Sequence, residues 1–520
     1  MVSLNGRTRQ GWLPLFVLGV GMSMIVVDAT IVNVAVPAII ADLGLTATDV
    51  EWVNSIYSLT FAALLIPLGR TGDARGRRRT FVTGVALFLG ASVLAAAAGS
   101  GAMLVGARVA QGVGASMVVP MTLAIINSLY TGPPRTVAFA VWGSIIGGMA
   151  AVGPLLGGWL VTDFGWRSAF WVNLPIGLLV LLGAAKVPES RDPRAGGLDP
   201  LGVLLSVVGM SCLVFGLIEG QRYGWGRPTG QATVFGRPWP LDAVSPIPFA
   251  FALAAVALTA LVLVERARSR AGRPVVLDLS LFAIPSFRYG GAAAMIVSLG
   301  EFGLILVLPL FLQTAMGYSA FQTGLIIAAL AAGTFLAGGT VPQLSRRLSG
   351  RAIVRTGLAL EAAAAIAIGL TLSPSLGPWA LVPWLVVYGF GVGFASAQLP
   401  NVMLAGVPSR QSGVASGLQS AIRQLGAAVG IAVLGAVLVT GLDSAMAEQL
   451  PDDPALGRAV RDSGGAAIAA IRDPNQRAAA VAASVDATRR VTVVTGLVLF
   501  AGVGSTLLLP DTGGRQREEE

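Results

Sequence analysis

Fourteen apolar stretches, each long enough to cross a lipid bilayer, run along the whole of this 520-residue chain. That repetition constrains the fold more than any other feature. Lipid offers no partner for a bare peptide group, so a spanning segment must close its own hydrogen bonds as a helix. At about 1.5 Å per residue, one crossing takes roughly 20 residues. Stretches of that size are Trp12–Pro37, Val50–Leu68, Thr80–Ala98, Met103–Tyr130, Val137–Val161, Ala169–Val187, Pro200–Ile218, Ile247–Val264, Tyr289–Phe311, Thr323–Gln343, Ala352–Thr371, Trp379–Leu399, Gly413–Thr440 and Val491–Pro510. The expected fold is therefore an all-α membrane protein with 14 transmembrane helices. Composition agrees, since 54% of the residues are apolar and only 12% charged. That is too little charge to cover a soluble protein of this size, which excludes a large soluble enzyme and a disordered chain. With no histidine and one cysteine, Cys212, in an apolar stretch, there is no histidine-based catalysis, disulfide framework or thiolate metal site.

The basic residues orient the spans. With the N-terminus inside, twenty-three of the 35 basic residues fall on the cytoplasmic side, among them Arg7, Arg9, Arg70, Arg75, Arg77, Arg78, Arg79, Arg135, Lys186, Arg194, Arg266, Arg346, Arg410, Arg515 and Arg517. The short outer loops carry only Arg167, Arg222, Arg227 and Arg237. This asymmetry is the positive-inside pattern, and it puts both termini in the cytoplasm. It also assigns the net charge of +9 to loops rather than to a nucleic-acid surface. Arg7 and Arg9 precede an apolar run without a small-residue cleavage site, which reads as a retained first span. Lys186 is the only lysine, and with 67 glycines the usage suggests a GC-rich bacterial genome and a place in the cell membrane.

Proline, glycine and arginine gather at Pro188–Asp199 and Glu265–Ser286. These linkers divide the chain into residues 1–190, a six-helix bundle; residues 191–285, an additional helix pair with its linkers; and residues 286–520, a second six-helix bundle. The last contains an external segment, residues 441–490, rich in alanine with mixed charge. It reads either as a helical hairpin or as a mobile loop.

Between spans 2 and 3 stands Gly69-Arg70-Thr71-Gly72-Asp73-Ala74-Arg75-Gly76-Arg77-Arg78-Arg79. A positive-inside anchor explains its arginines but not Asp73 or the spaced glycines. Glycines permit a tight turn and close helix approach. A carboxylate here can pair with an arginine or cap a neighbouring helix. Such a contact is a candidate gate, with Gly69, Asp73, Gly76, Arg77 and Arg78 as its residues. Span 5 holds Gly153-Pro154-Leu155-Leu156-Gly157-Gly158, in which small residues allow close packing and a mid-span proline opens a hydrogen bond.

These segments resemble those of the major facilitator superfamily. The loop is similar to its signature G-x-L-x-D-R-x-G-R-R, with Thr71 and Ala74 departing. Arg108-Val109-Ala110-Gln111-Gly112-Val113-Gly114-Ala115 resembles R-x-x-Q-G-x-G-A, and the span 5 run (Gly153, Pro154, Gly157, Gly158) resembles the motif of the drug:proton antiporters. The run from Asp28 to Pro37, Trp166-Arg167 with Asn173-Leu174-Pro175, and Arg423-Gln424-Leu425-Gly426 are similar to segments of the fourteen-span antiporter group. A degenerate second copy of the signature loop follows span 10, at Gly338-Gly339 with Arg346, Arg347, Gly350 and Arg351. The resemblance implies two repeated six-helix bundles around a central cavity, with two extra central helices, and a span 5 element that seals the cavity against proton leak.

Five charges lie deep within spans: Asp28, Arg108, Glu301, Glu361 and Arg423. A charge in lipid is costly unless paired, hydrated or neutralised, so each is a candidate functional residue. Asp28 lies roughly 24 Å from the inner end of span 1 and Arg108 roughly 8 Å below the outer end of span 4. They share a depth and form either a static pair or a proton-coupling site. Glu301, on a cavity helix by the resemblance, is a second protonation site, an attractor of cations or a neutral buried acid. Glu361 ranks lower, and Arg423 is a gate partner or an anion site. Asn33, Tyr57, Gln111, Trp142, Gln313, Tyr388, Gln398 and Arg423 are candidates for the cavity wall.

The function expected is a proton-coupled antiporter, not an enzyme, that exports hydrophobic, cationic small molecules or drugs by alternating access. The proton gradient drives it, with no cofactor and no metal. Its partners are the lipid bilayer, its cargo and protons, without nucleic acid, and nothing in the sequence designates an accessory export protein. The alternatives are export of a lipid or a self-made secondary metabolite, and import of a nutrient with protons.

Overall fold

The computed structural model describes residues 11–45, 47–192, 199–229, 233–234, 237–375, 377, 379–451, 453–463 and 465–510. The first half of the chain forms α1 (Leu13–Leu43), α2 (Ala47–Arg75), α3 (Arg77–Ala96), α4 (Gly101–Leu129), α5 (Gly132–Phe164), α6 (Ser168–Trp171) and α7 (Asn173–Ala184). Two helices follow, α8 (Pro200–Tyr223) and α9 (Pro246–Arg270). The second half forms α10 (Pro285–Thr314), α11 (Ala320–Leu344), α12 (Gly350–Thr371), α13 (Val382–Met403), α14 (Ser412–Gln449), α15 (Pro454–Asp462) and α16 (Pro474–Ser505). Among the described residues the only extended pairing is Thr233–Val234 against Arg237–Pro238, in the α8–α9 connection.

Polar residues at the ends of the apolar runs start these helices. The side chains of Ser100, Asp199, Ser245, Ser349 and Asp473 accept from the first-turn amides of α4, α8, α9, α12 and α16, satisfying donors that have no partner within the helix. Ser319 and Gln322 close a reciprocal capping box on α11.

Among the described residues eleven helices are long and apolar enough to cross a membrane, and a bent pair, Gly132–Met149 with Val152–Phe164, makes twelve. The 44° bend in that pair lies within α5 just before Pro154, whose missing N–H cannot bond the carbonyl one turn earlier. The span expected at Ala169–Val187 is two pieces, α6 and α7. The span expected to begin at Val491 begins instead at Pro474, and α14 runs on to Gln449. Residues 441–490 are therefore largely helical where described, consistent with their alanine content.

One apolar core draws on α1–α5 and α7 and continues across the seam into α8, α9, α10, α13 and α14, and a second lies within α10–α16. The two halves meet where α2 packs on α14 and where α5 packs on α11 and α13. Counting within each half, the second helix of one meets the fifth of the other, twice. That reciprocity is what two parallel repeats related by a two-fold axis produce. The α8–α9 pair lies across the α2–α14 seam through α8.

Candidate functional site

The buried charges expected to matter gather in three clusters, two of them deep within the spans and one at the glycine-arginine loop. Asp28 on α1 and Arg108 on α4 pair at 2.7 Å, with Asp28 fully buried and Arg108 nearly so. The Asp28 carboxylate also accepts from the amides of Gln111 at 3.0 Å and Asn173 at 2.7 Å. Arg108 donates to the Gln111 Oε1 at 2.9 Å and the Val53 carbonyl at 3.3 Å, and its guanidinium lies 4.2 Å from the centre of the Tyr57 ring. Ser92 accepts from both Gln111 and Asn173. Five helices (α1, α2, α3, α4 and α7) thus converge on one carboxylate. A buried ion pair persists only when further hydrogen bonds satisfy its remaining groups, and here Gln111 and Asn173 supply them. Gln111 and Tyr57, expected on a cavity wall, belong to this cluster. Ser92 and Asn173 were not singled out by charge, because a lone Ser or Asn in an apolar run carries no such signal.

The α5 glycines bear on the same turns of α1. A Cβ on Gly157 would come within 2.9 Å of Ile31, and one on Gly153 would overlap the Thr30 hydroxyl. Gly158 faces open space. On its other side α5 meets the second half, where a Cβ on Gly143 would lie 2.5 Å from the Ala397 amide nitrogen. One bent helix therefore touches both the Asp28-bearing turns and the opposite bundle.

The second cluster joins the halves. Asp73 is fully buried and accepts from the guanidinium of Arg77 at 2.7 and 2.9 Å. It also accepts from the amides of Gly413 and Val414, each at 2.9 Å, and so caps α14. Arg77 in turn donates to the Ser409 carbonyl at 2.7 Å. Helices α2 and α14 approach backbone to backbone here, since a Cβ on Gly69 would lie 2.6 Å from the Gly413 carbonyl. Gly76 takes φ +116°, a conformation that other residues rarely adopt. Arg78 is held differently. Its amide and that of Arg79 donate to Glu189, which caps α3, a partner the sequence did not indicate.

In the third cluster Glu301 on α10 pairs with Arg423 on α14 at 3.3 Å. Glu361 on α12 is fully buried, and neither of its carboxyl oxygens has a hydrogen-bond partner. The Tyr388 hydroxyl on α13 is likewise buried without one. Of the other cavity candidates, Trp142 donates to Thr122 across α5 and α4, and Gln398 contacts Ser345 and Asn401. Gln313 is exposed. Asn33 lies on α1 with its side chain outside the described residues, as are Arg7, Arg9, Arg194, Arg515 and Arg517.

Two repeated helical bundles joined by a capped, glycine-packed seam, with ion pairs buried in their interiors, define a membrane transporter rather than an enzyme. The Major Facilitator Superfamily model matches residues 18–431, and the chain belongs to that family. It is 32% identical over 512 residues to the multidrug efflux pump LfrA of Mycolicibacterium smegmatis, covering 98% of this chain and 96% of that protein. It is 34% identical over 457 residues to a probable actinorhodin transporter of Streptomyces coelicolor, covering 85% of this chain and 75% of that one. The puromycin resistance protein pur8 of Streptomyces alboniger is 35% identical over 445 residues, with 83% of each chain covered. Among solved structures, the human organic anion transporter MFSD10 superposes with a TM-score of 0.60 at 16% identity, over 95% of this chain and 99% of that one. That last likeness concerns the fold alone.

Proposed function

We propose that this chain is a proton-coupled exporter of hydrophobic small molecules in a bacterial cell membrane, working by alternating access. In this reading it crosses the bilayer fourteen times with both termini in the cytoplasm, as two six-helix bundles (residues 1–190 and 286–520) with the 191–285 pair added. The observation that carries the proposal is the Asp28 cluster. Protonation of Asp28 neutralises one member of the pair, and Arg108 already has replacement partners in Gln111, the Val53 carbonyl and the Tyr57 face. The proton thus exchanges one set of bonds for another without leaving a bare buried cation. Because α5 packs on the same turns of α1 and on the second bundle, a shift of α1 is carried to the seam between the bundles.

Asp73 and Arg77 act as the gate in this scheme, closing the cytoplasmic side while Asp73 caps α14. Glu301 takes part in cargo binding or a second protonation, and Arg423 is its counter-ion. Since the pair is neutral overall, a cationic cargo must displace Arg423, so cation preference depends on that exchange. Efflux relatives named for multidrug and antibiotic resistance support export. A transporter named for actinorhodin supports a second reading, export of a self-made metabolite.

The test is dye or drug efflux from proteoliposomes under an imposed pH gradient, with wild type beside Asp28→Asn and Glu301→Gln. Gradient-dependent efflux that Asp28→Asn abolishes is expected. Efflux indifferent to the gradient rules out proton coupling, and normal coupling in Asp28→Asn rules out this site.

A further inference from the structure

The α8–α9 pair lies across the α2–α14 seam, and one end of it is joined to the Asp73 latch by hydrogen bonds and a few residues of chain. The connection from α9 to α10 is fastened first to the pair itself. Glu265, 1% exposed near the end of α9, accepts from the amides of Val276 and Leu277 at 3.0 and 3.3 Å. Arg268, one turn on, donates to the Pro274 carbonyl at 3.1 Å and pairs with Asp199 at 2.9 Å. Asp199 is the residue that caps α8. The two carboxylates close on Gly202 of α8, where a Cβ would lie 2.7 Å from Glu265 and 2.8 Å from Asp199. The linker is thereby bound to both helices of the pair, and Val276 and Leu277 bury their side chains in the core that crosses the seam.

The next linker residue, Asp278, reaches the second bundle. Its carboxylate accepts from the Ser280 amide at 3.0 Å, capping the short turn Leu279–Ala283 that leads to α10, and from the Gln411 side chain at 2.6 Å. Gln411 ends the turn Ser409–Gln411 that leads into α14. Just beyond it Gly413 and Val414 give their amides to Asp73, and the Ser409 carbonyl accepts from Arg77. The lead-in to α14 is therefore held from two sides, by Asp73 and Arg77 across the seam and by Asp278 from the linker. The latch breaks if the bundles part there. The Asp278 contact need not, since its linker runs directly into α10 of the same bundle as α14. A lead-in freed on both sides would have to be ordered again at each closing, whereas one still held by Asp278 is already in place.

We propose that Asp278 is a positioning residue for the gate. Through Gln411 it holds the start of α14 where Asp73 can cap it, and the α8–α9 pair, clasped to the linker at Glu265, Arg268 and Asp199, is the frame from which it does so. The inference rests on the reading of Asp73 and Arg77 as the gate. It gives the additional helix pair a part in transport, which is to set the balance between latched and open states.

The experiment is maleimide labelling, in inverted membranes, of Ala415→Cys in a Cys212→Ser background, since Ala415 is fully buried next to Val414 on α14. Asp278→Ala is expected to speed labelling about fivefold and Gln411→Ala to match it, because each loses the same hydrogen bond to a charged group. Asp278→Asn should stay within about twofold of wild type, since the Gln411 amide can turn to accept from the new one. Gly202→Ala, which disturbs the clasp from α8, should speed labelling in the same direction. Added to Asp73→Asn, Asp278→Ala should bring no further increase, because no latch is left to position, whereas a general loosening of the fold would add in both backgrounds. Unchanged labelling in Asp278→Ala and Gln411→Ala, or a full second increment on top of Asp73→Asn, overturns the proposal and leaves the gate standing. Unchanged labelling in Gly202→Ala overturns the part given to the helix pair. If Asp73→Asn itself labels no faster than wild type, the gate reading falls and this inference with it. Should Asp278→Ala fail to fold, Gln411→Ala decides.

Discussion

Replacing Asp73 by Asn tests the latch most directly. The substitution keeps shape but removes the charge opposite Arg77, which is 2% exposed. It also turns one acceptor into a donor facing either Arg77 or the amides of Gly413 and Val414. Breaking one side of a buried pair costs about 3 kcal/mol or more. When the seam opens, both residues reach water and that cost disappears, so it falls on the closed state alone. About 3 kcal/mol corresponds to a shift of roughly 150-fold toward opening. The reporter is Ala415→Cys in a Cys212→Ser background, because Ala415 is fully buried on α14 beside the latch and Cys212 is the only native thiol. Maleimide labelling of inverted membranes is expected to accelerate by up to two orders of magnitude in Asp73→Asn. Asp42→Asn serves as the control. It breaks the exposed Arg167 pair, which water screens, and labelling should not change. An Asp73→Asn rate within twofold of wild type refutes the reasoning.

The α5 glycines give a paired prediction. Gly157→Ala forces a methyl against Ile31, whereas Gly158→Ala adds one in open space. The first should destabilise by about 1–3 kcal/mol and impair efflux, the second by less than about 0.5 kcal/mol, as read from thermal midpoints and dye efflux. If the two variants behave alike, close packing of α5 on α1 is not what these glycines provide. Glu361→Gln keeps the shape of a buried side chain whose carboxyl oxygens have no hydrogen-bond partner, so the thermal midpoint should move by no more than about 2 °C. A large drop means that Glu361 makes a stabilising contact that the amide cannot replace. Asn173→Ala removes a 2.7 Å bond to Asp28, and should cost about 1.5–3 kcal/mol and weaken gradient-driven efflux. Full retention of both stability and coupling removes Asn173 from the site.

What could be read from the sequence follows from what lipid penalises. A charge in a span demands an explanation, so Asp28, Arg108, Glu301, Glu361 and Arg423 stood out, and the depth estimate placed Asp28 beside Arg108, where the 2.7 Å pair is found. The helices were legible for the same reason, since an apolar run in lipid has no alternative to closing its own bonds. Their ends outside the membrane were not, and α16 begins seventeen residues before its expected start because alanine-rich chain remains helical in water. Asp73 could be read as a cap for some helix, but α14, some 340 residues away, could not be chosen from spacing. Ser92, Asn173 and Glu189 escaped because a small neutral side chain, or a carboxylate near a loop, carries little cost of its own. The polar partners that make a buried charge tolerable are visible only once the helices are packed.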